Sequence, residues 1–150
     1  MTLIRDLQAT DRDNLIHMMR EFYASPAVLH PVPDTYFIRT ADALDQKSPY
    51  VAASIAEHQG APAGYGLVSL TYSNEAGGLV VWLEELYIRD FARGFGLGTE
   101  LIGYIENQYR DRAVRFRLEV EEENHAAVRL YRRKGYTSLP YAQMVKELPK

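Results

Sequence analysis

The chain has no cysteine, a single tryptophan and no long apolar run. Without cysteine there is no disulfide framework, no thiolate nucleophile and no thiolate metal cluster. No stretch approaches the roughly 20 consecutive apolar residues that span a bilayer. The N-terminal MTLIRDLQATDRD meets charge too early to hold the apolar core of a signal peptide, so the expected location is cytoplasmic. Neither sign of charge dominates: 20 acidic against 17 basic side chains leave a net charge of -3. That balance gives no electrostatic case for a nucleic-acid surface, although a local basic patch can still hold an anion.

What is present is ordinary globular material: 150 residues, 47% of them hydrophobic, enough for one domain over 1–150 with one sizeable core. No internal repeat or low-complexity segment divides it.

The densest signal lies in residues 79–109. Val80, Trp82, Leu86 and Ile88 fall on one parity and Val81, Leu83 and Tyr87 on the other, the pattern of an interior strand interrupted only by Glu84 and Glu85. Arg93, Gly94, Phe95, Gly96, Leu97 and Gly98 then form a basic, glycine-rich turn, and Thr99 to Tyr109 continues in helical register. A strand, a tight turn and a helix N-terminus together make an anion site. The glycines alternate and no Gly-Lys-Ser/Thr follows, so this is neither a dinucleotide fingerprint nor a P-loop.

Around this segment the chain reads as strand, two helices, three strands, helix, strand, helix, strand: an α+β layer arrangement on a mixed sheet. A strand at Leu3–Leu7 precedes a helix opened by a Thr10/Asp13 capping box, with Leu15, Met18, Met19 and Phe22 as its buried stripe. Prolines break it before Asp34, which can cap a second helix with Phe37, Ala41 and Leu44 inward. Strands follow over Tyr50–Glu57, Pro62–Tyr72 and Leu79–Ile88, the last two antiparallel across a polar Ser73–Gly78 connection. In the Pro62–Tyr72 strand, Gly64 and Gly66 weaken propensity but allow close backbone approach. Val114–Val120 is a strand, Asn124 begins a helix ending at Gly135, and Ala142–Leu148 is expected to be a final strand.

Several residues carry usable chemistry. Glu84 and Glu85 are adjacent, so in a regular strand one points to each face, and a carboxylate in a partly buried cleft can act as a base or bind a cation. Alternatively it satisfies a structural hydrogen bond. Asn124 and Tyr131 are seven residues apart, nearly two helical turns, so Tyr131 is placed to deliver its phenolic proton or to pack as a core aromatic. Tyr23, His30, Tyr36 and Phe37 cluster near the proline break, either as packing or as a wall for an acceptor. His17, His58 and His125 read as surface groups, and no spacing of His, Asp and Glu makes a metal motif.

Leu83-Glu84-Glu85-Leu86-Tyr87-Ile88, followed by Arg93-Gly94-Phe95-Gly96-Leu97-Gly98, resembles the acetyl-CoA motif of the GNAT superfamily of N-acetyltransferases. Asn124 to Tyr136, about 40 residues on, resembles the second cofactor-binding segment of that family. The combination is similar to the spermidine/spermine and thialysine N-acetyltransferases. The resemblance implies an acyl-CoA N-acyltransferase fold, α/β/α layered, with a mixed, mostly antiparallel sheet. It implies acetyl-CoA as cosubstrate and direct acetyl transfer to an amine. Leu86, Tyr87 and Ile88 would pair with the pantetheine arm, Arg93 through Thr99 would hold the pyrophosphate, and Asn124 would contact pantetheine. Glu84 matches the base and Tyr131 the general acid, with Glu85, His30 and Tyr36 as further acceptor-side candidates. Arg132 and Lys134 would lie near the adenosine phosphate or simply complement the helix end. The family also implies a homodimer. The acceptor stays open between small cationic amines, polyamines or amino acids and a protein N-terminus or lysine, and a module that binds acetyl-CoA without turnover is the other alternative.

Overall fold

The computed structural model describes residues 1–149. β1 (Thr2–Asp6) leads through a 3-10 turn to α1 (Arg12–Tyr23) and α2 (Asp34–Asp45). Next come β2 (Val51–His58), β3 (Ala61–Ser73) and β4 (Gly78–Ile88), a second 3-10 turn, α3 (Leu97–Gln108), β5 (Ala113–Leu118) and α4 (His125–Arg133). The five strands form one sheet in sequence order. Pairs β1–β2, β2–β3 and β3–β4 are antiparallel, because short connections turn the chain straight back. β4 and β5 are parallel, because α3 crosses between them. The expected mixed, mostly antiparallel sheet flanked by helices is the observed one.

Each face of the sheet carries its own core. On one side Leu15, Met18 and Met19 of α1 and Phe37 and Ala41 of α2 pack on Ile55, Tyr65 and Leu67. On the other, Leu101, Ile102 and Ile105 of α3 pack on Val68, Val81 and Leu83, with Leu130 and Tyr131 of α4 partly buried beside them. The methionine stripe is therefore core, as its helical spacing implies. Gly64 brings β3 close to β4: a Cβ there would lie 2.3 Å from the Tyr87 carbonyl oxygen, so no larger residue fits without moving a strand.

Four local expectations are corrected. The helix entry is organised by Asp11 and not by a Thr10/Asp13 box. The Asp11 carboxylate accepts from the Gln8 N–H at 2.7 Å and from the Arg5 guanidinium at 2.8 and 2.9 Å, so β1 supplies the cation that draws the turn into place. Asp34 is the first residue of α2, not its cap, and its carboxylate instead accepts from Arg20 of α1 at 2.6 and 2.9 Å. His58, expected at the surface, is 5% exposed because it lies under the loop that leads into α3. Finally, Ala142–Leu148 forms no strand. A strand needs a ladder partner, and among the described residues no backbone hydrogen bond joins this segment to β5.

The Arg5–Asp11 pair is the ionic contact to test, since the Asp11 side chain is almost fully withdrawn from water while the Arg12–Asp42 pair lies open. Asp11→Ala is expected to lower unfolding free energy by about 2–3 kcal/mol, and Asp42→Ala by less than about 1 kcal/mol. The bond from the Arg5 guanidinium holds the Asp11 carboxyl below its ordinary value. Its contribution is therefore complete above about pH 4 and lost as pH falls through the depressed folded value. Urea titrations of both variants at neutral and acidic pH check this: the gap between wild type and Asp11→Ala should close on acidification.

Candidate active site

β4 carries one residue more than β3 can pair. Leu67 sits opposite Glu85 and the next residue, Val68, sits opposite Leu83, so Glu84 has no partner and forms a bulge. The parity of the strand changes there. Val81 and Leu83 face α3, and beyond the bulge Leu86 and Ile88 face α3 too. The expected single alternation from Val80 to Ile88 is corrected accordingly.

The bulge also corrects the placement of the two glutamates, which do not take opposite faces. Glu85 accepts from the Tyr65 hydroxyl at 2.7 Å and from the Tyr23 hydroxyl of α1. Glu84 accepts from the Ser69 hydroxyl at 2.6 Å, and Ser69 shares the face of Tyr65 and Leu67. Both carboxylates thus reach the α1–α2 side. They differ in setting: Glu84 is exposed, whereas Glu85 is partly buried. Burial raises the Glu85 carboxyl above its ordinary value, the two phenols pull it back down, and the neighbouring Glu84 charge raises it. Burial likewise pushes both phenols up, so Tyr23 and Tyr65 remain protonated donors.

Past the bulge the sheet opens. The last β4–β5 pair is Leu83 with Leu118, where β5 ends, while β4 runs on to Ile88. Among the described residues, 84–88 therefore face no strand on that side. The side chains of Leu86, Tyr87 and Ile88 are spent on packing, and the Tyr87 hydroxyl donates to Glu21 at 2.9 Å. What these residues offer a ligand is the backbone edge.

Directly beyond lies the glycine turn. Gly94 and Gly96 both take left-handed backbone, with φ of 85° and 79°, which a side chain would strain. Gly96 caps α3, and the N–H groups of Leu97, Gly98 and Thr99 precede the first helical hydrogen bond, Glu100 N–H to the Gly96 carbonyl at 3.0 Å. Arg93 is not a free arm here: it donates to the Ile88 carbonyl at 2.9 Å and pairs with Asp90 at 2.8 Å, bracing the end of β4. Phe95 lies with its ring 4.5 Å from that of His58, so the loop rests on a buried imidazole.

On the α3 side, Asn124 caps α4 by accepting from the Ala127 N–H at 3.3 Å. Tyr131 projects from α4 into a cleft of about 1050 Å³ shared with Leu118, Val120, Val128 and Tyr136. Burial raises its phenol, which keeps the proton in place at neutral pH. Lys134 is paired with Glu106 at 3.4 Å, and Arg132 is exposed.

The fold therefore brings together Glu84, Glu85, the freed edge of Leu86 to Ile88, and the Arg93–Thr99 turn. Among the described residues, neither His30 nor Tyr36 hydrogen-bonds to Glu84 or Glu85. His30 is exposed between α1 and α2, and Tyr36 carries Arg39 over its ring at 5.2 Å. The aromatic residues that do touch the carboxylates are Tyr23 and Tyr65. Tyr23 belonged to the aromatic cluster visible in the sequence, but Tyr65 and Ser69 gave no signal there, since only the β3–β4 register sets them beside the bulge. No group of three or more His, Asp or Glu side chains capable of holding a metal forms among the described residues.

A family model for acetyltransferases of the GNAT family matches residues 13–136, which takes in the bulged strand, the glycine turn and α4. The chain belongs to the GNAT acetyltransferase family. Its cosubstrate is acetyl-CoA and its reaction is acetyl transfer to a primary amine. The thialysine N-epsilon-acetyltransferase of Mus musculus is 30% identical over 92% of this chain and 85% of its own length. The Sus scrofa enzyme of the same name is 29% identical over 94% and 87%. In fold, the chain is similar to an aminoglycoside N-acetyltransferase solved in complex with CoA, with a TM-score of 0.80 at 16% identity over 98% of this chain and 95% of that one.

For this acetyltransferase, the balance at Glu85 can be read directly. Tyr23→Phe or Tyr65→Phe removes a hydrogen bond that favours the carboxylate, so each is expected to raise the Glu85 value further. Carboxyl carbon NMR titration of the wild type and both variants checks it; a lowered value in either would contradict the assignment.

Proposed function

We propose that the chain moves the acetyl group of acetyl-CoA directly to the terminal amine of a small cationic acceptor of the thialysine, polyamine or amino-acid kind. In this reading it works as one domain over residues 1–150, as a cytoplasmic homodimer. The observation that carries the acceptor class is the carboxylate pair: the bulge sets Glu84 and Glu85 on one face beside the opening of the sheet, with two phenols behind them. Paired carboxylates attract an ammonium group, and Glu85, partly withdrawn from water, holds it with less screening than the exposed Glu84. The thialysine acetyltransferases, at 29–30% identity over nearly the whole chain, support the same class.

The roles divide by setting. Glu84 is exposed and held by one hydroxyl, so it is the base, accepting the ammonium proton directly or through a water. Glu85, with Tyr23 and Tyr65, orients the acceptor; of the wall expected in Tyr23, His30, Tyr36 and Phe37, Tyr23 is the member that touches a carboxylate. The open edge of Leu86 to Ile88 runs beside the pantetheine amides, and a strand N–H polarises the thioester carbonyl. The turn from Arg93 through Gly94, Phe95, Gly96, Leu97, Gly98 and Thr99 receives the pyrophosphate through its backbone N–H groups. Asn124 donates its free amide to the pantetheine. Tyr131, neutral and partly buried, protonates the departing thiolate. With no cysteine in the chain, transfer proceeds without an acetyl-thioenzyme.

A turnover screen reading free thiol release over thialysine, diamines, polyamines, amino acids, aminoglycosides and lysine peptides tests the acceptor. The highest kcat/KM should fall to a small diamine or lysine-like molecule; a preference for peptides would move the chain to the protein-acetylating class.

Acetyl-CoA at about 100 times its Kd should stabilise the fold by about 2.7 kcal/mol, seen as a raised Tm. Absence of any shift, together with no calorimetric binding, would overturn the cosubstrate site.

Tyr131→Phe and Glu84→Gln should each lower kcat by about 10²–10³ while leaving acetyl-CoA affinity within about twofold. Unchanged kcat in either variant would remove that residue from the mechanism.

A further inference from the structure

On the face of the sheet that carries Glu84, one arginine has no counter-charge. Ser69 of β3 lies opposite Trp82 of β4, and Trp82 lies opposite Arg117 of β5, so the three side chains share the face on which Ser69 holds Glu84. Arg117 is half-buried and stacks its guanidinium over the Trp82 ring at 4.2 Å. Among the described residues it makes no ion pair, and its guanidinium donates no hydrogen bond. Its neighbour Arg115 shows the ordinary structural use of such a group. Arg115 donates to Glu75 at 3.1 Å, and the other oxygen of Glu75 accepts from the Tyr141 hydroxyl at 2.6 Å, so that carboxylate is taken. Stacking occupies the flat face of the Arg117 guanidinium and leaves the N–H donors along its edge for a planar acceptor. A ligand can reach them. α1 and α2 pack on Ile55, Tyr65 and Leu67, over β2 and β3, which leaves Trp82 only half-buried, and Arg117 also lines the cleft that Tyr131 enters.

We infer that Arg117 is a specificity-determining residue that receives a carboxylate at the far end of the acceptor, so that an amino acid of lysine-like length is preferred over a diamine or polyamine. Charge changes sign along this face, from Glu84 and Glu85 at the opening of the sheet to Arg117 behind them. Two residues of strand rise and one strand spacing set the Cα atoms of Glu84 and Arg117 roughly 8 Å apart. That is comparable to the span between the two charged ends of an extended lysine. An ammonium at the carboxylates and a carboxylate at Arg117 then satisfy both ends of one molecule. Such an acceptor lies back over Trp82, away from the Leu86 to Ile88 edge assigned to the cosubstrate, so that only its amine end reaches the acetyl group. A diamine of the same length brings a second ammonium to Arg117, where it meets a like charge and leaves the guanidinium unpaired. The stack on Trp82 also fixes the plane of the guanidinium for the two parallel bonds that a carboxylate accepts. The inference rests on the acceptor class proposed above and narrows it.

Steady-state kinetics on the full chain at saturating acetyl-CoA test it, with lysine, lysine amide and cadaverine as acceptors that share a terminal amine and differ at the other end. The wild type should favour lysine over both by roughly 10–100-fold in kcat/KM, the effect of charge-assisted hydrogen bonds to one group. This comparison needs no variant. Arg117→Gln should lower the lysine-to-cadaverine ratio of kcat/KM roughly tenfold or more, chiefly by raising KM for lysine. Arg117→Lys, which keeps the charge and loses the planar fork, should retain part of the ratio. Circular dichroism and acetyl-CoA affinity verify that both variants are folded. Equal wild-type turnover of lysine and cadaverine, or a preference for cadaverine, would overturn the role of Arg117 and leave the small-amine reading standing. An unchanged ratio in Arg117→Gln would do the same, as would a parallel fall on all three acceptors, the result of lost packing on Trp82 alone. A wild type that acetylates lysine peptides and none of the three would sink the acceptor class and this inference with it.

Discussion

One unpaired residue in β4 determines most of what this protein can do. Because Glu84 has no partner on β3, the strand changes parity in its middle, and two adjacent glutamates that a regular strand would separate reach the same face. The same irregularity coincides with the end of β4–β5 pairing at Leu83 and Leu118, so the carboxylates stand at the mouth of an opening in the sheet. A bulge strengthens local twist and re-aims side chains. Here it sets two carboxylates beside an unpaired backbone edge in one step of the chain.

The two cores hold that step rigid. Tyr23 comes from the end of α1, whose Met18 and Met19 are fully buried, and Tyr65 comes from the middle of β3, so the donors that support Glu85 are fixed by packing. On the other face α3 is seated by Leu101, Ile102 and Ile105, which aims its N-terminal N–H groups past the end of β4. The loop between them is braced twice, by Arg93 on the Ile88 carbonyl and by Phe95 on His58. Arg93 thereby fixes the shape of the loop, its guanidinium engaged by the Ile88 carbonyl and Asp90.

Much of this was legible beforehand. The order of elements, the methionine stripe, the glycine turn at the start of α3 and the Asn124 cap all follow from periodicity and local backbone chemistry, which act over a few residues. The misreadings share a different cause. The Glu84/Glu85 placement required the β3–β4 register; the Asp11 cap required Arg5 from β1; and the burial of His58 required Phe95 from the loop before α3. Each depends on a contact between segments distant in the chain. Tyr23 stood with His30, Tyr36 and Phe37 in one aromatic cluster, and only packing showed that Tyr23 reaches Glu85 while Tyr36 carries Arg39 over its ring.

By itself, then, the amino-acid sequence determined the α+β class, the glycine turn before α3, the family and the absence of any thiol on the protein, because these are written in residue types and short spacings. Tertiary structure alone decided which face each carboxylate takes, which tyrosines stand behind Glu85, and that β5 is left with an open edge. Those outcomes are set by strand register and by which surfaces find partners, and neither quantity is local to any stretch of the chain.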